Sequence, residues 1–574
     1  MKLTKTGLYL IALIIVALIL RIIAASYVNV STDEMIYSIL PLHIMSAGRL
    51  GTVEQSPLAF YLNDLSYIFF GGITPISIRL PSILFGAAAV ILIYLISLHL
   101  TKDTTASFAA SALFTFSGYA LINNVEMDMA AFFFTLLSIY FFMRSLDDSW
   151  NLYFASTSLA LGILIKNIVA LVIPAYIIIL IIKAVRDKKA NNFTINKTAI
   201  KRTVIAIALA AIILTPIFIY NYMTYSYVGI TDYYFSNILG IGKSVHTGLE
   251  NAPWALSTVK NVFWVNFKES FGLDWLLIIL GIAGFIIALK QKWFETLTIV
   301  LPVFSIAFYV AGITASTSHF LLIPAALSIC AAFFIKEIKS RMPSKYVLST
   351  LLILLLINSF FVLGAVHDSN QKSLTLQLRS AVREHISDDS IVIIDPRIYR
   401  GIHAWVFNDK HYLEGTHWPE LSQSLQQMPG KQITVPLFYI ECGKSNKTCG
   451  WKPEDFARIN DFGQQLTDFF KNRTTQVAEV VAVDRVLIHK GTITVPESVI
   501  SIIDQTHTFW FYPVGWKNTE NVIDNYTPRG IDKIINAFGF FTLYIDLLLA
   551  VLALPFVIWL VIQTKHNSEH EQSN

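Results

Sequence analysis

The chain carries one apolar run after another, each about as long as a bilayer core is thick. The first, "GLYLIALIIVALILRIIAA" (7–25), contains a single charge, Arg21. A crossing helix needs roughly 20 predominantly apolar residues. Lipid offers no partner to an open backbone N–H or C=O, so such runs must be helical. Hydrophobic residues make up 54% of the chain and charged residues 14%, against about 25% charged in soluble domains. The class is an integral membrane protein. A formal net charge of +4 over 574 residues is small and argues against a nucleic-acid partner.

The apolar runs predict about twelve spans, near 6–25, 78–100, 105–122, 128–145, 151–166, 168–185, 203–220, 272–290, 295–313, 319–336, 346–366 and 537–563. Lys2, Lys5 and the later "AAS" imitate a signal peptide, but the chain continues directly into further spans, which predicts a retained first helix. Two strongly basic loops, 186–202 and 336–345, belong on the cytoplasmic side by the charge asymmetry of membrane proteins. Asp147 and Asp148 fall on that side too, and acidic residues count little in the rule. Both termini are then inside, in a cell membrane. The predicted organisation is a transmembrane module (1–366) with outer loops 26–77 and 221–271, an extracytoplasmic α/β domain (367–536), and a last helix with a cytoplasmic tail (537–574). Within 367–536, "IVIID" and "VAEVVAVDRVLIHK" read as strands. The loop 221–271 is rich in Tyr, Trp and Phe, which suit either an interfacial belt or sugar stacking. Cys442 and Cys449 flank a short polar segment where a disulfide is open if that segment is outside.

Ionisable residues gather on the predicted outer side. Asp33 and Glu34 follow the first span within a few residues, and Glu126 and Asp128 sit at the turn before the fourth. Arg79 opens the second span, while Lys166 ends the fifth beside a break at Asn167. Any one of these could be a solvated loop charge or a snorkelling anchor. Together, at a depth where charge is costly, they point to one site. Its chemistry would pair a carboxylate that removes a proton with cations that hold a phosphate.

The series "STDEMIY", "SPLAFYL", "SIRLPSILFG", "VEMDMAAFF", "GILIKN" and "TSTSHFLLIPAAL" resembles the GT-C glycosyltransferases that use polyprenyl-phosphate sugars, in particular the lipid A aminoarabinose transferases and protein O-mannosyltransferases. The resemblance covers about the first 340 residues. It implies a multi-pass helical GT-C fold and inverting transfer of a sugar from a polyprenyl-phosphate donor to a hydroxyl or amine of a lipid, glycan or protein. Asp33 would activate the acceptor, with Glu34 beside it. Pro57 and Tyr61 would lie in a short amphipathic helix on the membrane. Lys166 corresponds to the lysine of the family's "TKG" pattern that faces the lipid phosphate, but here Ile165 and Asn167 replace the usual Thr and Gly. Ser318-His319-Phe320 stands where Arg-Tyr or Lys-Tyr is common, so His319 joins Arg79 and Lys166 as a candidate phosphate contact. Asp33, Glu126 and Asp128 could supply oxygen ligands to Mg²⁺ or Mn²⁺.

A transporter or flippase of a lipid-linked or anionic substrate is the alternative. It fits the spans, but transport sites lie near the midplane, and a one-sided charge cluster with a large outer domain favours the enzyme. The Trp-Trp-Asp motif of oligosaccharyltransferases does not occur; "FWFYPVGW" lacks the acid.

Overall fold

The computed structural model describes residues 5–573 except 29–33, 35–43, 45–48, 52–55, 72–73, 124–126, 190–196, 233–234, 237–238, 243–253, 314–316, 372, 400–401, 404–405, 408, 444–448, 451–452, 483 and 505–525. The chain forms two compact units. One comprises 1–27, 44–364 and 528–574; the other comprises 28–43 and 365–527.

The larger unit is helical. In chain order it holds α1 (Lys5–Tyr27), α2 (Pro57–Phe70), α3 (Pro75–Thr101), α4 (Thr104–Thr115), α5 (Gly118–Ile122), α6 (Asp128–Ser145) and α7 (Asn151–Ile165). Then come α8 (Val172–Lys189), α9 (Lys197–Ile213), α10 (Thr215–Val228), α11 (Leu256–Ala311), α12 (Leu322–Lys339), α13 (Ser344–Gln371) and a last helix, Asp532–Ser573. Local chemistry sets the ends. Thr74 and Ser77 form a reciprocal capping box at the start of α3, with Pro75 in the first turn. Asp103 accepts from the Ala106 amide to begin α4.

Seven of the described helices are long and apolar enough to cross a membrane, or eight if α9 and α10, bent by 51°, form one span. By that criterion the expected count of about twelve is not reached, because several expected spans are broken or merged. The run 105–122 is split into α4 and α5, since Ser117 caps a new helix through the Ala120 amide. The run 203–220 bends at Leu214, just before Pro216, whose ring removes a backbone donor. The runs 272–290 and 295–313 fall on either side of a kink in α11, a 56-residue stretch made of successive helices that adjoin without a loop. Helical geometry lapses at Asp274 and Lys292, with φ near −139° and −144°.

Within the aromatic segment 221–271, residues 221–228 end α10 and residues 256–271 begin α11, so most of its described residues are helical rather than loop. Trp264, Phe267 and Phe271 recur at helical spacing and are exposed, with Trp264 stacked on Phe267 and Lys268 over the indole. That pattern suits an interfacial belt. Small residues bring α11 against α12. A Cβ built on Gly284 would lie 2.0 Å from the Cys330 carbonyl oxygen, and one on Gly281 would meet Leu327 at 2.8 Å. Close backbone approach of this kind drives helix packing in lipid.

The second unit contains α14 (Leu374–His385), β1 (Ile391–Ile394), β2 (His411–Glu414), β3 (Gln432–Cys442), α15 (Pro453–Lys471), β4 (Thr475–Val481) and β5 (Arg485–Pro496). The sheet order is β2-β1-β3-β5-β4, with β1 parallel to β2 and β3 and the other pairs antiparallel. Ile391, Ile393, Leu437, Tyr439, Leu466 and Phe470 share its core. Of the two expected strands, "VAEVVAVDRVLIHK" divides into β4 and β5, paired as a hairpin. Cys442 and Cys449 form a disulfide.

Candidate functional site

Lys166 ends α7. The helix stops at Ile165, Lys166 is extended (φ −151°, ψ 117°), and a 3₁₀ turn, Asn167–Leu171, leads into α8. The break turns a charged side chain inward, where it is only 8% exposed. Its ammonium donates to Asp128 Oδ2 at 2.6 Å, and Asp128, in the first turn of α6, is wholly buried. His319, on the 3₁₀ turn Thr317–Phe320 before α12, completes the group. Its Nδ1 lies 2.9 Å from Asp128 Oδ1 and 3.2 Å from Lys166 Nζ.

An ammonium has no lone pair. Nδ1 therefore either donates to Asp128 or accepts from Lys166, and the tautomer selects between them. The Lys166 ammonium pairs this buried carboxylate as burial demands, and His319 lies against its other oxygen. Beside it, Ser56 contacts Asn167 Oδ1 and also lies 2.8 Å from the Ile163 carbonyl oxygen. The Asn167 amide nitrogen is buried with no hydrogen bond among the described residues.

The other sequence-predicted residues divide. Arg79 is buried, and its guanidinium donates to the Ala25 carbonyl, tying the start of α3 to the end of α1. Asp33 and Glu126 lie outside the described residues. Glu34 is buried and belongs to the second unit. Among the described residues no group of three His, Cys, Asp or Glu could hold a metal ion. Asp128 could bind one only by releasing Lys166 or His319. Pro57 and Tyr61 lie in α2, which exposes Leu65, Ile68, Phe69 and Phe70 while the Tyr61 hydroxyl donates to the Arg49 carbonyl at 2.6 Å.

Sequence reasoning missed Asp274. At the first lapse in α11 its carboxylate accepts from the Ser117 hydroxyl (2.6 Å) and the amides of Gly118 (2.7 Å) and Tyr119 (3.0 Å). The Tyr119 hydroxyl in turn donates to Asn266 at 2.9 Å. These bonds fix α5, which ends at Ile122, six positions before Asp128. The available signal was an acid inside an apolar stretch, "FGLDWLL".

A model of the dolichyl-phosphate-mannose-protein mannosyltransferase family matches residues 54–220, which include Arg79, Asp128 and Lys166. Two solved structures share the fold: ArnT from Cupriavidus metallidurans in the apo state, with a TM-score of 0.55, and the same protein bound to undecaprenyl phosphate, with a TM-score of 0.57. Each is 10% identical, and the match covers 85% of this chain and 98% of ArnT. No curated protein matches in sequence. The resemblance read from the motifs is borne out by the family model and the fold.

Proposed function

We propose that this chain, which has the GT-C fold, is a membrane glycosyltransferase that takes its sugar from a polyprenyl-phosphate donor. The observation that carries the reading is Lys166, a buried cation set at a helix break against Asp128 and His319. A phosphate entering this site would meet the ammonium and the unused amide donor of Asn167. It could take the contact to Lys166 that Asp128 now holds, while His319 retains Asp128. The similar fold of a protein solved with undecaprenyl phosphate supports a donor of that class.

In the reaction, charge develops on the leaving phosphate and the Lys166 ammonium, freed from Asp128, stabilises it. The acceptor hydroxyl or amine attacks the anomeric carbon from the opposite face, inverting it, and Asp33 takes its proton. The basic loops 186–202 and 336–345 support an extracytoplasmic side for this chemistry. A divalent metal at Asp33 and Glu126 would supply Lewis acidity to the phosphate oxygens; Asp128 is already committed to its cations.

The test is binding of undecaprenyl phosphate to the purified chain, compared with Lys166→Met/Asp128→Asn, which removes both charges together. The reading expects at least tenfold weaker binding by the double variant. Equal affinity would return Lys166 to the role of a structural partner for Asp128.

A further inference from the structure

A second cluster of cations lies at the opposite end of the same helices. Lys102 follows α3, Lys183 and Arg186 lie near the end of α8, and Lys292 marks the second lapse in α11; together they line a cavity of about 200 Å³. The end of α6 also lines it, through Met143, Leu146 and Asp147. From Asp128 to Ser145 this helix runs 18 residues, about 27 Å at 1.5 Å each. The cavity is therefore nearly a bilayer core away from Lys166.

We infer that this cavity binds a phosphate group, carried by an anionic lipid headgroup of that leaflet or by a free phosphate. Four fixed cations face two carboxylates, Asp147 and Glu295, so the lining is net positive. The compensation is weak. Lys292 and Glu295 stand 3.8 Å apart with both side chains largely exposed, a pair worth little in water. Asp147 makes no ion pair among the described residues.

Charge at helix C-termini explains part of the cluster. Lys183 donates to the Leu146 carbonyl at the end of α6, where a cation suits the helix dipole. Lys102 at the C-cap of α3 and Arg186 in the last turn of α8 suit their helix ends as well, but that role occupies neither head group with a hydrogen bond or ion pair among the described residues. The Arg186 guanidinium lies over the Phe294 ring at 4.2 Å and makes no hydrogen bond among the described residues, so its planar fork of donors is preset for phosphate oxygens. Lys102 has φ 55°, a conformation that favours Gly or Asn at a helix end. A lysine kept there holds an exposed ammonium at the cavity without a hydrogen bond or ion pair among the described residues. At ~30 Å³ per water, the volume suits a phosphate with bridging waters rather than a whole lipid, whose chains would remain in the bilayer. Basic pockets between transmembrane helices recognise headgroups in this way.

The full-length protein would be tested in two arms. In nanodiscs of equal phosphatidylglycerol and phosphatidylcholine, native mass spectrometry would count retained lipid; in neutral detergent, inorganic phosphate would be titrated by calorimetry. Lys102→Gln/Arg186→Gln should weaken anion binding by roughly 5-fold per cation, about 30-fold for the pair. Lys102→Arg, which keeps both charges and leaves the Arg186 fork in place, should retain most of it and control for folding. Selective retention of phosphatidylglycerol identifies the headgroup as the source, and saturable binding of phosphate identifies the free anion. Absence of anion binding in both arms, or binding unchanged by the charge-removing variant, would overturn the inference.

Discussion

Replacing Lys166 by Met should unfold the site before it reveals anything about the donor. The substitution keeps the apolar stem and removes the charge, leaving the wholly buried Asp128 with His319 alone. Breaking a buried ion pair by removing one partner costs about 3–5 kcal/mol, because the remaining charge is left uncompensated. His319 still lies 2.9 Å from the carboxylate, so the lower end, about 3 kcal/mol, is expected. Asp128→Asn should cost a similar amount by stranding the ammonium. The double variant removes both charges and should recover most of the loss, since an amide and a thioether at these positions strand no charge. The assay is a double-mutant cycle on thermal or denaturant unfolding of detergent-solubilised protein at fixed lipid content, with a coupling of at least about 2 kcal/mol expected for groups in direct contact. Additive single-variant effects would refute the pair as a compensated buried unit. So would a Lys166→Met protein as stable as the parent.

Asp33→Asn, nearly isosteric, should leave donor binding intact and lower transfer by about 10²–10⁴-fold, as for loss of a general base; a full rate with saturating donor would remove Asp33 from the mechanism. Gly284→Ala should destabilise the larger unit by about 1–3 kcal/mol, because the new methyl would lie 2.0 Å from the Cys330 carbonyl oxygen; an unchanged melting temperature would contradict that packing. In the second unit, burial pushes the Glu441 carboxyl up, but the hydrogen bond from His489 and the charge of Lys471 outweigh it and hold it below its ordinary value. Its contribution is therefore present above about pH 4.3 and is lost as pH falls through the lower folded value. Glu441→Gln should flatten the loss of stability between about pH 5 and 3, and an unaltered acid limb on thermal unfolding would rule that out.

How far the sequence disclosed this site depended on how local each feature was. The break at Lys166 was legible because a lysine and an asparagine interrupt an apolar run, "GILIKN", and a charge at that depth needs a local reason. The two halves of "VAEVVAVDRVLIHK" showed strand character through their β-branched residues, but the turn between them did not stand out. What joins Lys166 to Asp128 and His319 was hidden, since His319 lies 191 positions from Asp128 and no local pattern encodes such a contact. Asp128 had looked like a candidate metal ligand beside Asp33 and Glu126; its two oxygens face Lys166 and His319 instead. Arg79 looked like a phosphate contact for the same reason, yet its guanidinium meets the Ala25 carbonyl. The division of 105–122 depended on Asp274, about 150 residues away, whose carboxylate caps the new helix. The helical state of 256–271 was obscured by aromatic density, which suits an interfacial loop and an interfacial helix equally well.

The most direct test is sugar transfer by the purified chain, reconstituted in lipid and offered a panel of polyprenyl-phosphate sugars with hydroxyl- and amine-bearing acceptors. Product should form from at least one donor, with inverted anomeric configuration. It should fall at least a hundredfold in Lys166→Met/Asp128→Asn, the variant expected to keep its fold. Failure of a stably folded parent protein to transfer from any donor in the panel, or undiminished transfer by that double variant, would contradict the account.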